Sequence, residues 1–139
     1  MEKDRVTRLL KEHGLRNTEM RKSVLGLFLR SDRALSQQDI DESLPDSDRV
    51  TLYRTLRSFE EKGLVHRAVD GSSTAKFALC RDNCNEVQHL DAHAHFHCAG
   101  CGSTYCVDDI AMPPVPTRYK GARIGQVHLI LEGMCACCQ

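Results

Sequence analysis

The sequence predicts an α+β fold in which an N-terminal winged helix-turn-helix is followed by a small, cysteine-rich α/β domain. Three observations support this prediction. Residues 4–62 space their apolar side chains as helices do, and residues 64–79 form two strand-like runs around Asp70 and Gly71. All eight cysteines lie at position 80 or beyond, so the first 79 residues must fold by packing alone.

Four helices are predicted before residue 64, each with apolar side chains repeating on one face. Capping residues and helix breakers set their ends, namely glycines after the first and fourth helices and a proline after the third. The expected spans are residues 4–13, a second helix capped by Thr18 and ending at Leu29, a third capped by Ser36 and running from Gln37 to Leu44, and a fourth that starts after residues 46–48 and ends near Lys62.

Strand-like patterning follows these helices. Residues 64–69 and 75–79 read as two strands, and the Asp70-Gly71 pair between them predicts a hairpin turn. Helices that lead directly into a hairpin are typical of a winged helix-turn-helix, in which the fourth helix would be the recognition helix.

The fourth predicted helix has one packing face and one exposed face. Leu52, Leu56 and Phe59 share the apolar face. A solvated surface is the alternative explanation for the opposite face, so the pattern alone leaves solvation and DNA contact both open. The candidate DNA-contacting residues on this helix are Thr51, Tyr53, Arg54 and Arg57.

Charge and hydropathy narrow the class of protein. The formal net charge is zero, from 19 basic and 19 acidic residues, which is unlike a protein that binds nucleic acid by bulk charge. Between Lys3 and Arg30, however, there are eight basic residues and only three acidic ones, so a phosphate-facing surface is expected there.

The N-terminus has no apolar segment typical of a signal peptide, and no stretch approaches the ~18 apolar residues of a membrane-spanning helix. We therefore expect a cytoplasmic protein whose paired cysteines bind metal rather than form disulfides.

The second domain is predicted from three further strand-like segments, at residues 93–98, 104–107 and 126–131. Residues 81–92 are polar and unpatterned, as a linker is. Three prolines between residues 113 and 116 argue against a long helix before the last strand.

Two C-x-x-C pairs predict a structural zinc site. Cys98 and Cys101, followed by Gly102, lie about 34 residues before Cys135 and Cys138. Together they offer four thiolates to one tetrahedral ion, which suits zinc. Cys137 is an alternative fourth ligand, because C-x-C spacing also occurs in metal sites. Zinc would supply stability that so small a module lacks, so the metal-free protein is expected to lose its C-terminal fold.

Four ordered motifs resemble one known family. They are GLRNT at residues 14–18 with Arg21, VTLYRTL at residues 50–56, HAHFHCAGCG at residues 93–102 and LILEGMC at residues 129–135. The chain resembles the ferric uptake regulator family from end to end. That resemblance implies a homodimer whose winged helices bind palindromic operators in double-stranded DNA, with Tyr53 and Arg54 at the DNA and Arg16 near phosphates.

The resemblance also implies the division of the chain and the roles of its parts. Metal would favour the arrangement that binds DNA. The expected division is a winged-helix DNA-binding domain over residues 1–81, a hinge over residues 82–92 and a metal-binding dimerisation domain over residues 93–139. Neither a membrane nor a small-molecule substrate is expected as a partner.

A regulatory site is implied where the wing, hinge and dimerisation domain meet in this family. The positions matching it are His66, Cys80, His93 and His95. One thiolate and three imidazoles favour Zn²⁺ over Fe²⁺ or Mn²⁺, as in the zinc uptake regulator branch. Ala34 and Ala78 stand where iron-type members commonly have ligands. A further pool, from which one residue can replace His66, comprises Cys84, His89, His97 and Cys106.

A third family site is expected to be missing, because its matching positions lack ligands and His128 is one residue out of register. These positions are Ala92, Ala94, Pro113 and Val127. The predicted function is a zinc-responsive transcriptional repressor of metal-uptake genes. The alternatives are an iron- or peroxide-responsive regulator and a zinc- or thiol-dependent enzyme. The chain has no H-E-x-x-H motif, glycine-rich phosphate loop or carboxylate pair near a metal motif, so no enzymatic activity is expected.

Overall fold

A computed structural model describes residues 2–79, 94–107, 110 and 113–139, and within them four helices combine with three small sheets. The α+β fold class is therefore confirmed. The helices are α1 (Glu2–Glu12), α2 (Glu19–Arg30), α3 (Gln37–Ser43) and α4 (Arg49–Glu61). The strands are β1 (Leu35–Ser36), β2 (Val65–Arg67), β3 (Lys76–Leu79), β4 (Ala94–Cys98), β5 (Thr104–Val107), β6 (Arg118–Tyr119), β7 (Ala122–Arg123) and β8 (Ile130–Gly133).

Side-chain caps fix where three helices begin, as the sequence predicts. Thr18 Oγ1 accepts a hydrogen bond from the Arg21 backbone N–H at 3.3 Å at the start of α2. Ser36 forms a reciprocal capping box with Asp39 before α3, and Asp48 accepts from a backbone N–H in the first turn of α4. Each cap satisfies a helix-terminal N–H that has no partner within the helix.

The core of the N-terminal part lies between these helices. Leu10 of α1, Leu25 of α2, Ile40 of α3 and Phe59 of α4 are all fully buried. Leu52 and Leu56 join them from the predicted apolar face of α4. This packing fixes the rotation of α4 about its axis and turns its opposite face outward.

The wing is a three-stranded sheet in the order β1-β3-β2. Strand β1, which the sequence analysis missed, adds Leu35 and Ser36 to its edge. The predicted hairpin is confirmed, because β2 and β3 pair antiparallel, but Asp70 and Gly71 form only part of its turn. Arg67 pairs with Phe77, so a longer loop joins the strands. Asp70 is only 2% exposed within this loop, because its carboxylate is hydrogen-bonded inward.

The second sheet has the order β5-β4-β8, with β4 antiparallel to β5 and parallel to β8. The last strand begins at Ile130 rather than near residue 126. Strands β6 and β7 form a small hairpin that was not predicted. Positive φ angles at Lys120 (49°) and Gly121 (84°) give it a two-residue turn. The predicted hinge lies outside the described residues, and no described helix is long and apolar enough to cross a membrane.

Candidate functional site

Four thiols converge beside the second sheet. The ligand atoms of Cys98, Cys101, Cys135 and Cys138 lie within 4.8 Å of one another. Cys98 ends β4 and is fully buried, whereas the second pair follows β8, the parallel neighbour of β4. The sheet therefore brings together two cysteine pairs that are far apart in sequence.

Glycines make the close approach of these pairs possible. A side chain at Gly100 would lie 3.1 Å from both Cβ and Sγ of Cys138 and 2.9 Å from Met134 Cε. Gly102 has a φ of +78°, which favours glycine, and its N–H donates to the Cys98 carbonyl at 2.9 Å. The C-A-G-C-G segment is thus a tight turn whose shape leaves room for the second cysteine pair.

The cluster is electrostatically suited to a cation. Backbone N–H groups of Cys135 and Cys101 point at Cys98 Sγ, at 3.3 and 3.5 Å, and lower the pKa of this thiol to about 6. Interactions with Cys135, Cys98 and Cys101 raise the pKa of Cys138 to about 12. Crowding thus opposes ionisation of all four sulfurs together, and a bound cation would relieve that repulsion.

The distance between two of the sulfurs matches that expected around a tetrahedral ion. Four thiolates at ~2.3 Å from zinc would lie about 3.8 Å from one another. Cys101 Sγ and Cys135 Sγ are 3.8 Å apart. Cys137, the alternative fourth ligand, is exposed and stands outside the cluster. The four residues fit a structural zinc site.

A second cluster lies between the wing and the second sheet. It contains His66 of β2, His95 of β4 and Cys106 of β5, whose ligand atoms also lie within 4.8 Å of one another. His66 is 1% exposed and His95 is 4% exposed. Cys106 Sγ is 3.9 Å from His66 Nε2, and the two imidazole centroids are 6.0 Å apart. Three soft or borderline ligands thus converge at a buried contact between two sheets.

Strand register and small side chains produce this convergence. His95 pairs with Cys106 across β4 and β5, so both project from the same face of that sheet. Ala34, Ala68 and Ala78 form a buried group on the wing side, and Cys106 packs against it. Because alanines occupy this contact, the wing backbone can approach the second sheet closely. Two of these alanines, Ala34 and Ala78, occupy the positions that the sequence analysis matched to ligands of iron-type members.

Two of the four predicted regulatory ligands lie within the described residues. The structure brings together His66 and His95, whereas Cys80 and His93 lie outside the described residues. From the pool of further ligands, Cys106 joins the cluster. Cys84 and His89 also lie outside the described residues. His97 lies beside another group, with Nδ1 3.3 Å from Asp70 Oδ2.

The spacing of the first cysteine pair is a sequence feature from which the position of Cys106 can be predicted. The cysteine knuckle at residues 98–103 closes the β4–β5 hairpin, and the Cys98 N–H donates to the Ser103 carbonyl at 2.9 Å. Counting outward from this turn places Cys106 opposite His95. Treating the first cysteine pair as a hairpin turn would therefore have predicted the pairing.

The exposed face of α4 carries the predicted DNA-contacting side chains. Tyr53 is 48% exposed, and Arg54 and Arg57 are also exposed. The Thr51 hydroxyl already donates to Asp48 Oδ2 at 2.8 Å as part of the helix cap. Arg16 is exposed in the loop before α2. Their contacts with DNA remain predictions.

The positions that match the third family site differ in burial. Ala94 is buried in β4, whereas Pro113, Val127 and His128 are exposed in the segment before β8. Ala92 lies outside the described residues. The absence of this site stays a prediction.

Comparison with known proteins connects these features to one family. The model of the Ferric uptake regulator family matches residues 12–122. The ferric uptake regulation protein of Staphylococcus aureus is 30% identical over 137 residues, covering 95% of this chain and 94% of that protein. Its counterpart in Staphylococcus epidermidis is 29% identical over 137 residues, covering 95% and 92%.

Solved structures share the fold at lower sequence identity. The ferric uptake regulator from Pseudomonas aeruginosa with manganese has a TM-score of 0.61 at 23% identity, covering 94% of this chain and 98% of that one. The holo form of XcZur has a TM-score of 0.60 at 23% identity, covering 97% and 94%. These two structures therefore share the fold of this chain.

Proposed function

The chain belongs to the ferric uptake regulator family, and from that premise we propose that it is a zinc-responsive repressor of metal-uptake genes. Members of this family are metal-dependent transcription regulators that bind DNA and act as dimers, not enzymes. The proposal goes beyond the family assignment in naming zinc as the regulatory metal, a palindromic operator and a cytoplasmic location. It also retains the division into a DNA-binding domain over residues 1–81, a hinge over 82–92 and a dimerisation domain over 93–139.

The observation that supports zinc is the cluster of His66, His95 and Cys106. Two imidazoles and a thiolate form a soft-to-borderline donor set, whereas Fe²⁺ and Mn²⁺ favour sites richer in oxygen. Cys80 and His93, the remaining predicted ligands, would extend the same set without adding a carboxylate. The described ligands therefore favour zinc, although the matched relatives are named for ferric uptake.

The position of this cluster supports a regulatory role. His66 belongs to the wing, while His95 and Cys106 belong to the second sheet. Residues that share a cation across this contact would hold the wing, and with it α4, at one angle to the second sheet. A ligand that prefers one arrangement raises its population by its differential affinity, and DNA affinity then follows the metal by linkage.

The four-cysteine cluster supports a separate, structural role. All four residues lie within or next to the second sheet, at the end of β4, in the turn before β5 and after β8. A cation held there would fasten the C-terminal tail to that sheet and would not bridge the wing. We therefore assign structural zinc to Cys98, Cys101, Cys135 and Cys138.

Operator binding at defined zinc content tests the regulatory proposal. An operator is first selected from random duplex DNA with protein carrying two zincs per chain, and affinity is then compared with protein carrying one. We expect the second zinc to raise affinity by about 5- to 150-fold, the usual range of allosteric coupling. Cys106→Ala and His95→Ala should abolish this gain. Cys137→Ala is the matched control and should retain it.

The same assay tests the alternative of an iron- or peroxide-responsive regulator, which the similarity to ferric uptake regulation proteins favours. Fe²⁺ and Mn²⁺ replace the second zinc in parallel titrations. A larger gain with either ion, or equal affinity with one and two zincs, would overturn the zinc proposal. Elemental analysis of the expressed protein supplies an independent check, since about two zincs per chain are expected.

A further inference from the structure

A buried polar group lies beside the regulatory cluster and joins the wing to the second sheet. At its centre is the Asp70 carboxylate, whose side chain is 1% exposed. Thr104 Oγ1 of β5 donates to Asp70 Oδ2 at 2.6 Å, and Lys76 Nζ of β3 lies 2.9 Å from the same oxygen. Ser72 donates to Asp70 Oδ1 from its backbone N–H at 2.9 Å and its hydroxyl at 2.6 Å. We call Asp70, Lys76 and Thr104 the Asp70 clasp.

The Asp70 carboxylate and the Lys76 ammonium group each have several hydrogen-bonding partners. Lys76 Nζ also lies within hydrogen-bonding distance of Thr104 Oγ1, at 3.0 Å, and donates to the Gly102 carbonyl. Burial acts to raise the pKa of Asp70, but hydrogen bonds from Ser72, Thr104 and Lys76 outweigh it and lower the pKa well below its usual range. A buried ion pair with this many hydrogen bonds tolerates few alternative geometries.

Two more contacts attach the N-terminal part to the start of β5. The Ala34 N–H donates to the Thr104 carbonyl at 2.7 Å. Arg33 Nη1 donates to Ser103 Oγ at 3.0 Å. Three segments of the N-terminal part therefore meet the second sheet at Ser103 and at Thr104, the first residue of β5, through groups that are not part of the His66 cluster.

The clasp and the regulatory cluster are linked by strand register. Thr104 pairs with His97, and two residues farther along β5 Cys106 pairs with His95. Residues two apart on a strand point to the same face about 7 Å from each other. A shift of Thr104 relative to the wing would therefore carry Cys106 away from His66.

We propose that the Asp70 clasp docks the wing on the second sheet without regulatory metal and thereby pre-positions His66, His95 and Cys106 for a cation. This inference rests on the proposed function of those three residues as a metal site. Asp70, Lys76 and Thr104 act as positioning residues. Because His66, His95 and Cys106 then need less reorganisation to bind a cation, the clasp increases the affinity of this site for metal.

Hydrogen exchange in the wild-type chain tests the docking directly. The protein is prepared with structural zinc only, at one zinc per chain, and exchange of the Ala34 amide is followed by NMR. This amide should exchange at least about tenfold more slowly than in an unstructured peptide, because its hydrogen bond joins β5. Exchange at the unstructured rate would overturn the proposal.

Substitutions at Thr104 test the effect on metal affinity. Thr104→Val keeps the shape but removes the hydroxyl, Thr104→Ser keeps the hydroxyl, and Thr74→Val alters an exposed wing residue as a control. Zinc affinity of the second site is measured by chelator competition, and Co²⁺ spectra report thiolate ligation. We expect Thr104→Val to weaken binding by at least about tenfold, with the other two variants close to wild type.

Equal zinc affinity in Thr104→Val and wild type would refute the positioning role. Retention of the structural zinc verifies that each variant folds. If Thr104→Val loses that zinc, Asp70→Asn replaces it in the same comparison. Neither measurement uses DNA, so a failure of zinc-dependent operator binding remains distinguishable from a failure of the clasp.

Discussion

Replacement of Arg54 by glutamine gives a direct test of the DNA-facing surface. Leu52, Leu56 and Phe59 anchor α4 by its buried face, so Arg54 projects outward from a helix whose orientation is fixed. No carboxylate of the described residues lies within 4 Å of its guanidinium in an ion pair. Arg57 differs, because Nη2 lies 3.7 Å from Glu61 Oε1. Arg54 can therefore approach DNA without giving up an ion pair with any carboxylate in the described part of the chain.

The expected size of the effect follows from counterion release. Each phosphate neutralised on duplex DNA contributes about 0.9 to the slope of log affinity against log salt concentration. A homodimer presents two copies of Arg54. If both contact phosphates, the slope of Arg54→Gln should be smaller in magnitude than that of wild type by about 1.8. If Arg54 reads base edges instead, base discrimination should fall while the slope changes less.

Fluorescence anisotropy with the selected operator, at several salt concentrations and two zincs per chain, measures this slope. Arg123→Gln removes an exposed charge from β7 in the second part of the chain and serves as the matched control. A slope and a base preference in Arg54→Gln that equal those of the control would refute the assignment of this helix face to DNA.

Further predictions concern the structural zinc and the core. Cys138→Ser should remove the structural zinc and unfold the second sheet, seen by elemental analysis and NMR, whereas Cys137→Ser should do neither. The pKa of Cys98 is lowered to about 6 in the folded protein. Its thiolate therefore contributes fully to the stability of the fold above the ordinary thiol pKa, and this contribution is lost as pH falls through about 6. Zinc release, followed with a chromogenic chelator, should increase as pH falls, because protons compete with the cation for the thiolates. Phe59→Ala, at a fully buried site, should lower the free energy of unfolding in urea by about 3–5 kcal/mol at fixed zinc content.

Local features of the N-terminal part could be predicted from the sequence. Thr18, Ser36 and Asp48 cap helices because their side-chain oxygens reach backbone N–H groups three residues ahead. Such interactions depend on neighbours in sequence, so spacing alone reveals them. The same reasoning identified the buried face of α4 and the two cysteine pairs.

Features that depend on distant partners were harder to predict. The Asp70-Gly71 pair predicted the hairpin, but it did not reveal that Thr104, 34 residues away, donates a hydrogen bond to the Asp70 carboxylate. Strand β1 is only two residues long and exists through its pairing with β3. Cys106 remained one of several possible ligands because its distance from His66 is set by contact between two sheets. None of these partners is near in sequence.

The positions of the two metal-ligand clusters explain how one chain can separate stability from sensing. The four-cysteine cluster lies at one end of the second sheet, and metal there would take no ligand from the contact with the wing. The His66 cluster spans that contact, so His66 approaches His95 and Cys106 only when the wing is docked. Alanines on the wing side permit that close approach, and the Asp70 clasp maintains it. A weaker clasp should therefore raise the zinc concentration at which the regulator responds while leaving the structural site loaded.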